Sequence, residues 1–108
     1  MTRGDLVTVV VPGDFGKPRP ALLVQADRFS DLATVTVLLV TSSEVQTPLF
    51  RIPVEPSSVN GLQKQSFIMA DKAMTVRIEK LGPPFGRLEE GAMHAVNRAM
   101  ALFLGIAS

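Results

Sequence analysis

The sequence predicts a mainly β fold: a small, strongly bent antiparallel sheet or SH3-like barrel with a single C-terminal helix packed on it. Three observations carry that expectation. Short runs of β-branched and aliphatic residues recur at close spacing up to residue 76, each stopped by proline, glycine or serine-rich turns. From Leu88 to Ile106 the apolar period lengthens from two to three and four, the spacing of one helix face. At 108 residues the chain reads as one domain over 1–108, too short for a separate cofactor module. OB-folds share this outline, so the pattern fixes no function.

Leu6 to Val11 is β-branched or leucine throughout, and Pro12-Gly13 stops it, which predicts a buried strand and then a loop to Pro20. Ala21 to Gln25 reads as the second strand and Thr34 to Thr41 as the third, with a turn over Asp27 to Leu32. Phe50, Ile52 and Val54 alternate with Arg51, Pro53 and Glu55, the period of a half-buried strand, and Pro53 assigns that strand to an edge or a bulge. After the turn residues 57–61, Ser66 to Met69 and Met74 to Val76 read as two short strands around Ala70-Asp71-Lys72-Ala73. In the terminal helix Glu89 and Glu90 suit the positive end of the dipole, and Gly105 stands as a breaker near its end.

The chain is 46% apolar and 19% charged, with mean hydropathy +0.27, a composition too apolar for disorder and rich for a small monomer. Some apolar surface is therefore expected in a subunit interface. The absence of cysteine excludes disulfides, zinc ribbons, iron–sulfur clusters and thiol nucleophiles, and a reducing cytoplasm is the simplest home. No secretory signal is read at the N-terminus, and the longest apolar runs are far short of a membrane span, so the expectation is a soluble protein with no membrane partner. A net charge of +1 and a pI near 8.2 permit an anionic partner without demanding one. With one histidine, His94, placed within the helix, a transition-metal site is not expected.

Pro18-Arg19-Pro20 is a local oddity, because the flanking prolines restrict the arginine backbone and hold it extended at the mouth of a strand. Such a guanidinium is either a solvated turn residue or a fork of donors aimed at a phosphate. Thr41-Ser42-Ser43 puts three hydroxyls at the end of the third strand, where they either satisfy their own turn or, if strands two and three pair, gather beside Arg19. Asp71-Lys72, between the two short strands, has the chemistry of a solvated surface pair. Arg3-Gly4-Asp5 matches an adhesion tripeptide and reads more simply as a charged lead into strand one.

Taken together, Arg3-Gly4-Asp5-Leu6, Arg19-Pro20-Ala21-Leu22-Leu23-Val24-Gln25 and Val40-Thr41-Ser42 resemble, in order and spacing, the MazF/PemK family of toxin ribonucleases, and a weaker likeness continues through Ser66 to Lys72 and the terminal helix. The resemblance implies a CcdB/MazF/Kid-like fold and a homodimer in the bacterial cytoplasm. The dimer would cut single-stranded RNA, with mRNA as the target, without metal or cofactor, and a cognate antitoxin would silence it. It implies catalytic roles for Arg19 and Thr41, and RNA-binding or proton-transfer roles for Asp14, Lys17, Ser42, Asp71 and Lys72. The implied chemistry is attack of the ribose 2′-hydroxyl on its own phosphodiester, leaving a 2′,3′-cyclic phosphate and a 5′-hydroxyl. The chain departs from the family in the shorter loop Pro12 to Lys17. The alternative is a non-enzymatic poison of DNA gyrase similar to CcdB, whose Phe-Trp-Gly-Ile ending resembles Phe103-Leu104-Gly105-Ile106, with leucine in place of tryptophan. A third reading is an inactive barrel that binds a partner peptide along its groove.

Overall fold

The computed structural model describes residues 1–13, 15–43 and 49–107. Six strands, β1 (Asp5–Val10), β2 (Pro18–Leu23), β3 (Thr34–Thr41), β4 (Arg51–Val54), β5 (Ser66–Arg77) and β6 (Gly86–Arg87), are followed by one helix, α1 (Glu90–Phe103). Short 3-10 turns cover Asp27–Phe29 and Ile78–Lys80. The strands form one curled antiparallel sheet in the order β4-β5-β3-β2-β1-β6. Mainly β with a C-terminal helix, as expected, it carries Pro53 on the edge strand β4, opposite Phe67, where a missing N–H leaves no interior ladder broken.

Both faces of the sheet are apolar, which is why β1 reads as a near-continuous aliphatic run. Leu6, Leu22, Leu38, Val40 and Ile68 pack on one face with Val96 of the helix, and Val7, Val9, Ala21, Leu23, Val35 and Val37 pack on the other with Val76. Burying each large aliphatic side chain contributes about 1.5–3 kcal/mol before entropy is counted. The helix gives Val96 and Ala99 to the core and half-buries Ala92, Met93 and Met100, the stripe its spacing predicts. Phe103, at its last turn, stands 5.2 Å from the Phe50 ring, centroid to centroid.

Several boundaries differ from the sequence reading, each for a physical reason. β2 covers Pro18–Leu23 and not Ala21 to Gln25, because residues 18–20 are held in the ladder with β1. The two short strands around Asp71 are one strand, β5, whose pairing with β3 jumps from Ala73 opposite Leu38 to Ile68 opposite Val40. The residues between, 69–72, bulge away from β3, and Met69 pairs instead with Arg51 of β4. The bulge breaks the side-chain alternation without ending the strand. Strand β6 is two residues long and pairs with Asp5 and Leu6, too short to leave a period. The helix starts two residues later than Leu88, because Leu88 is buried in the core with its N–H on the Gly4 carbonyl. At its end Ile106 N–H reaches the Ala101 carbonyl and Gly105 N–H the Leu102 carbonyl, with Gly105 at φ +75°, a Schellman closure.

The charged lead into β1 is a clasp. Arg3 donates from Nε to the Val24 carbonyl and from Nη2 to Asn97 Oδ1 of the helix, while Asp5 accepts from the Thr2 N–H and from Arg87 of β6. A cavity of about 300 Å³ lies beside this clasp, lined in part by Arg3 and Asp27, which already bond each other.

Candidate active site

The prolines around Arg19 open the sheet. Val24 N–H points to the Thr36 carbonyl of β3, and the Leu23 carbonyl accepts from Gly4 on the β1 side. Backbone direction alternates along a strand, so the nitrogens of Pro20 and Pro18 face β3 as that of Val24 does. Neither carries a hydrogen. The β2–β3 ladder accordingly stops at Ala21 opposite Leu39, whereas the β1–β2 ladder, which asks nothing of those nitrogens, continues to Val10 opposite Pro18. Arg19 and Thr41 sit just past the last paired residues, and the same register carried two residues further sets one across from the other.

This opening forms one side of a cavity of about 570 Å³, within the usual range of ligand sites, roughly 300–1,000 Å³. Its described lining holds the cations Lys17, Arg19 and Lys64 and the hydroxyls of Thr8, Thr41, Ser42 and Ser66, with no carboxylate or imidazole. A cleft lined this way attracts an anion. Thr41 Oγ1 accepts the Ser43 N–H at 3.1 Å, the turn-satisfying role, and keeps its own hydrogen for a second partner. Among the described residues no three His, Cys, Asp or Glu side chains gather as metal ligands would.

The far wall, Gly61 to Lys64 with Phe85, is held by a buried amide. Asn60 is fully buried; its Oδ1 accepts from Ser57 N–H and Leu62 N–H at 3.0 Å each, and its Nδ2 donates to the Glu55 carbonyl and the Glu89 carboxylate. Glu89, which caps the helix in chain order, also accepts the Ser57 hydroxyl. That bond, joined by the one from Asn60, outweighs burial and holds the Glu89 carboxyl below its ordinary pKa. The 57–62 turn and the strand β6 segment interlock so closely that a Cβ on Gly86 would lie 2.1 Å from the Asn60 carbonyl oxygen, and one on Gly61 2.6 Å from that of Phe85. Only glycine fits at either position.

The structure brings Arg19, Thr41, Ser42 and Lys17 to this one cavity. Asp71 and Lys72 do not line it. The Asp71 carboxylate takes both Nε and Nη2 of Arg51, at 2.8 and 3.0 Å, in the bulge of β5, so its partner is Arg51 and not the neighbouring lysine. Lys72 is exposed. Asp14 and the segment 44–48 lie outside the described residues. Sequence reasoning passed over Thr8, Gln63, Lys64 and Phe85, which reach the cavity only through the fold; the one local signal was an aromatic set between Pro83-Pro84 and Gly86.

A family model described as PemK-like, MazF-like toxin of type II toxin-antitoxin system matches residues 2–104. The chain is 45% identical over 108 residues to a protein named probable endoribonuclease MazF from Mycolicibacterium smegmatis, covering 99% of each. Its fold is similar to that of an endoribonuclease solved with its cognate antitoxin from a mycobacterial species, at TM-score 0.83 and 24% identity over 100% of this chain and 98% of that one. It is also similar to the Mycobacterium tuberculosis toxin MazF-mt6, at TM-score 0.82 and 23% identity over 96% and 99%. With a family model matched over residues 2–104 and a relative 45% identical, the chain belongs to the PemK-like, MazF-like toxins of type II toxin–antitoxin systems.

Proposed function

We propose that this chain, an endoribonuclease of the toxin family, cleaves single-stranded RNA at selected sequences by attack of the ribose 2′-hydroxyl on the adjacent phosphorus, without a metal ion. The observation that carries the reading is the placement of Arg19 and Thr41 at the mouth of a cation-lined cavity where β2 and β3 part. In the step, the 2′-oxygen loses its proton and bonds to phosphorus. The bond from phosphorus to the 5′-oxygen breaks, and that oxygen takes up a proton, leaving a 2′,3′-cyclic phosphate and a 5′-hydroxyl. The substrate supplies its own nucleophile, so the protein has to orient it and stabilise the charge that builds on the non-bridging oxygens. Arg19 offers those oxygens a rigid fork of donors, and Thr41 offers the hydroxyl hydrogen that its turn does not use. Lys17 and Ser42 hold the flanking backbone.

Asp71, engaged on both oxygens by Arg51, is left out of the proton transfers. Asp14, in the loop before Lys17, is the acid we assign to the site by its place in the chain. The protein acts as a homodimer in the bacterial cytoplasm, where cutting mRNA stops translation and growth, and a cognate antitoxin with an acidic or apolar segment covers the cavity. The family match weighs against a gyrase poison, as does Leu104 where CcdB carries tryptophan. The test is incubation of the purified protein with a long single-stranded RNA in EDTA, with end mapping and Arg19→Ala in parallel. Discrete cuts ending in cyclic phosphate, lost in the variant, support the mechanism; intact RNA, or cuts that survive in the variant, overturn it.

A further inference from the structure

Phe85 is a large apolar side chain left 39% exposed on the wall of a cavity whose other described functional groups are cationic, amide or hydroxyl. Its backbone is fixed at both ends, by its own N–H on the Leu6 carbonyl and by the tight approach of Gly86 to Asn60. Its ring abuts Gly61, with Cδ1 3.2 Å from where a Cβ would stand. Gly61, at φ +69°, offers the ring backbone and no side chain, so the ring is backed at its Cδ1 edge while the residue stays partly exposed on the cavity wall. An aromatic ring held on a rigid backing, next to cations that suit phosphates, is the arrangement that receives an unstacked base of a single strand.

We propose that Phe85 is the stacking platform for a base adjacent to the scissile phosphate, with the fixed Gly61 backbone as its support. The inference rests on the ribonuclease reading for the identity of the strand. The ring is sequence-tolerant, since every base has a π face, and so it contributes affinity and registers the strand while other contacts choose the base. Its distance along the wall from Arg19 sets which phosphate reaches the guanidinium.

The test compares wild type, Phe85→Leu and Phe85→Tyr. One readout is kcat and KM on an RNA the wild type cuts; the other is fluorescence anisotropy with labelled single-stranded DNA of the same sequence, which lacks the 2′-hydroxyl and is not cleaved. Phe85→Leu is expected to raise KM and the DNA Kd about tenfold, with the loss falling on KM more than on kcat, and Phe85→Tyr to restore both. Thermal melts of the three proteins check that each is folded. A folded Phe85→Leu protein that binds as wild type does, or a Tyr variant no better than Leu, overturns the platform and leaves the ribonuclease reading standing. If the wild type cuts no RNA, that reading fails, and the DNA titration alone decides the platform: tight binding weakened by Leu and restored by Tyr upholds it, and no binding overturns it.

Discussion

Arg51 of β4 and Asp71 of β5 form a two-pronged ion pair, Nε to Oδ1 at 2.8 Å and Nη2 to Oδ2 at 3.0 Å, with only 12% and 13% of their side chains exposed. The pair bridges the edge strand to the bulge, where Asp71 has left the β3 ladder. A carboxylate in that position belongs to the architecture: it ties β4 to the sheet where its partner strand bends.

The pair makes stability depend on pH in a stated direction. Burial pushes the Asp71 carboxyl pKa up, and the Arg51 hydrogen bonds and charge, with Lys72 adding to them, outweigh burial and hold it below the ordinary value. A depressed folded pKa contributes stability that is complete above the unfolded value, about 3.9, and is lost as pH falls through the folded value. Asp71→Asn is expected to cost about 1.5–3 kcal/mol at neutral pH, since it removes a charge-assisted pair. Urea midpoints from neutral to acid pH check this: the gap between wild type and variant narrows below about pH 4. A gap that is constant across the range contradicts the assignment.

Much of this was legible in the chain. The β-branched and leucine run Leu6 to Val11, the alternation around Pro53 and the helical spacing from Ala92 to Phe103 are local patterns, and local patterns survive in one dimension. The proline bracket of Arg19 was legible too, though its consequence, an interrupted β2–β3 ladder, appears only once the strand neighbours are known. What could not be read was non-local. The Arg51–Asp71 pair spans 20 residues, and Asn60 reaches 29 residues to Glu89. Phe85 arrives at the cavity through the two-residue strand β6, which no periodicity announces. The surface-pair reading of Asp71 and Lys72 fails because the charge nearest Asp71 in sequence is Lys72, while its partner in space, Arg51, is on another strand.

Arg19→Ala is expected to lower kcat for RNA cleavage by about 100-fold or more, the usual loss when a charge-stabilising donor is removed from a phosphoryl site. Arg19→Lys recovers only part, because an ammonium cannot present two parallel donors. Thr41→Val is expected to lose about tenfold, a single hydrogen bond to a charged group, and Thr41→Ser to keep most activity. Initial rates at saturating RNA measure all four. Equal losses in Arg19→Lys and Arg19→Ala would mean that geometry, and not charge, is what the site requires.

Asn60→Ala is expected to destabilise the fold by about 2 kcal/mol, because it takes from the half-buried Ser57 and Leu62 N–H groups and the Glu89 carboxylate the fully buried amide they bond. Tm should fall by about 10 °C for a domain of this size. Asn60→Asp keeps the acceptor and loses the donor, and sets a second carboxylate beside Glu89, so it should be no better. A thermal melt at fixed protein concentration tests both, and a shift under a few degrees would show the network to be dispensable.

Lys64 stands on the wall of the cavity, separate from Arg19 on its β2 side, and touches the cavity through the turn that Asn60 holds. If it neutralises a phosphate of the bound strand, binding releases counterions, and the logarithm of affinity falls with the logarithm of salt by about 0.7 for each phosphate engaged on a single strand. Lys64→Ala should therefore weaken binding of a non-cleavable single-stranded oligonucleotide and flatten that slope by about 0.7. Phe85→Leu removes stacking without charge, so it should weaken binding at every salt concentration and leave the slope as it was. Anisotropy titrations from low to moderate salt separate the two effects. Parallel slopes for wild type and Lys64→Ala would place the lysine off the path of the backbone and make the cavity's phosphate contacts the work of Lys17 and Arg19.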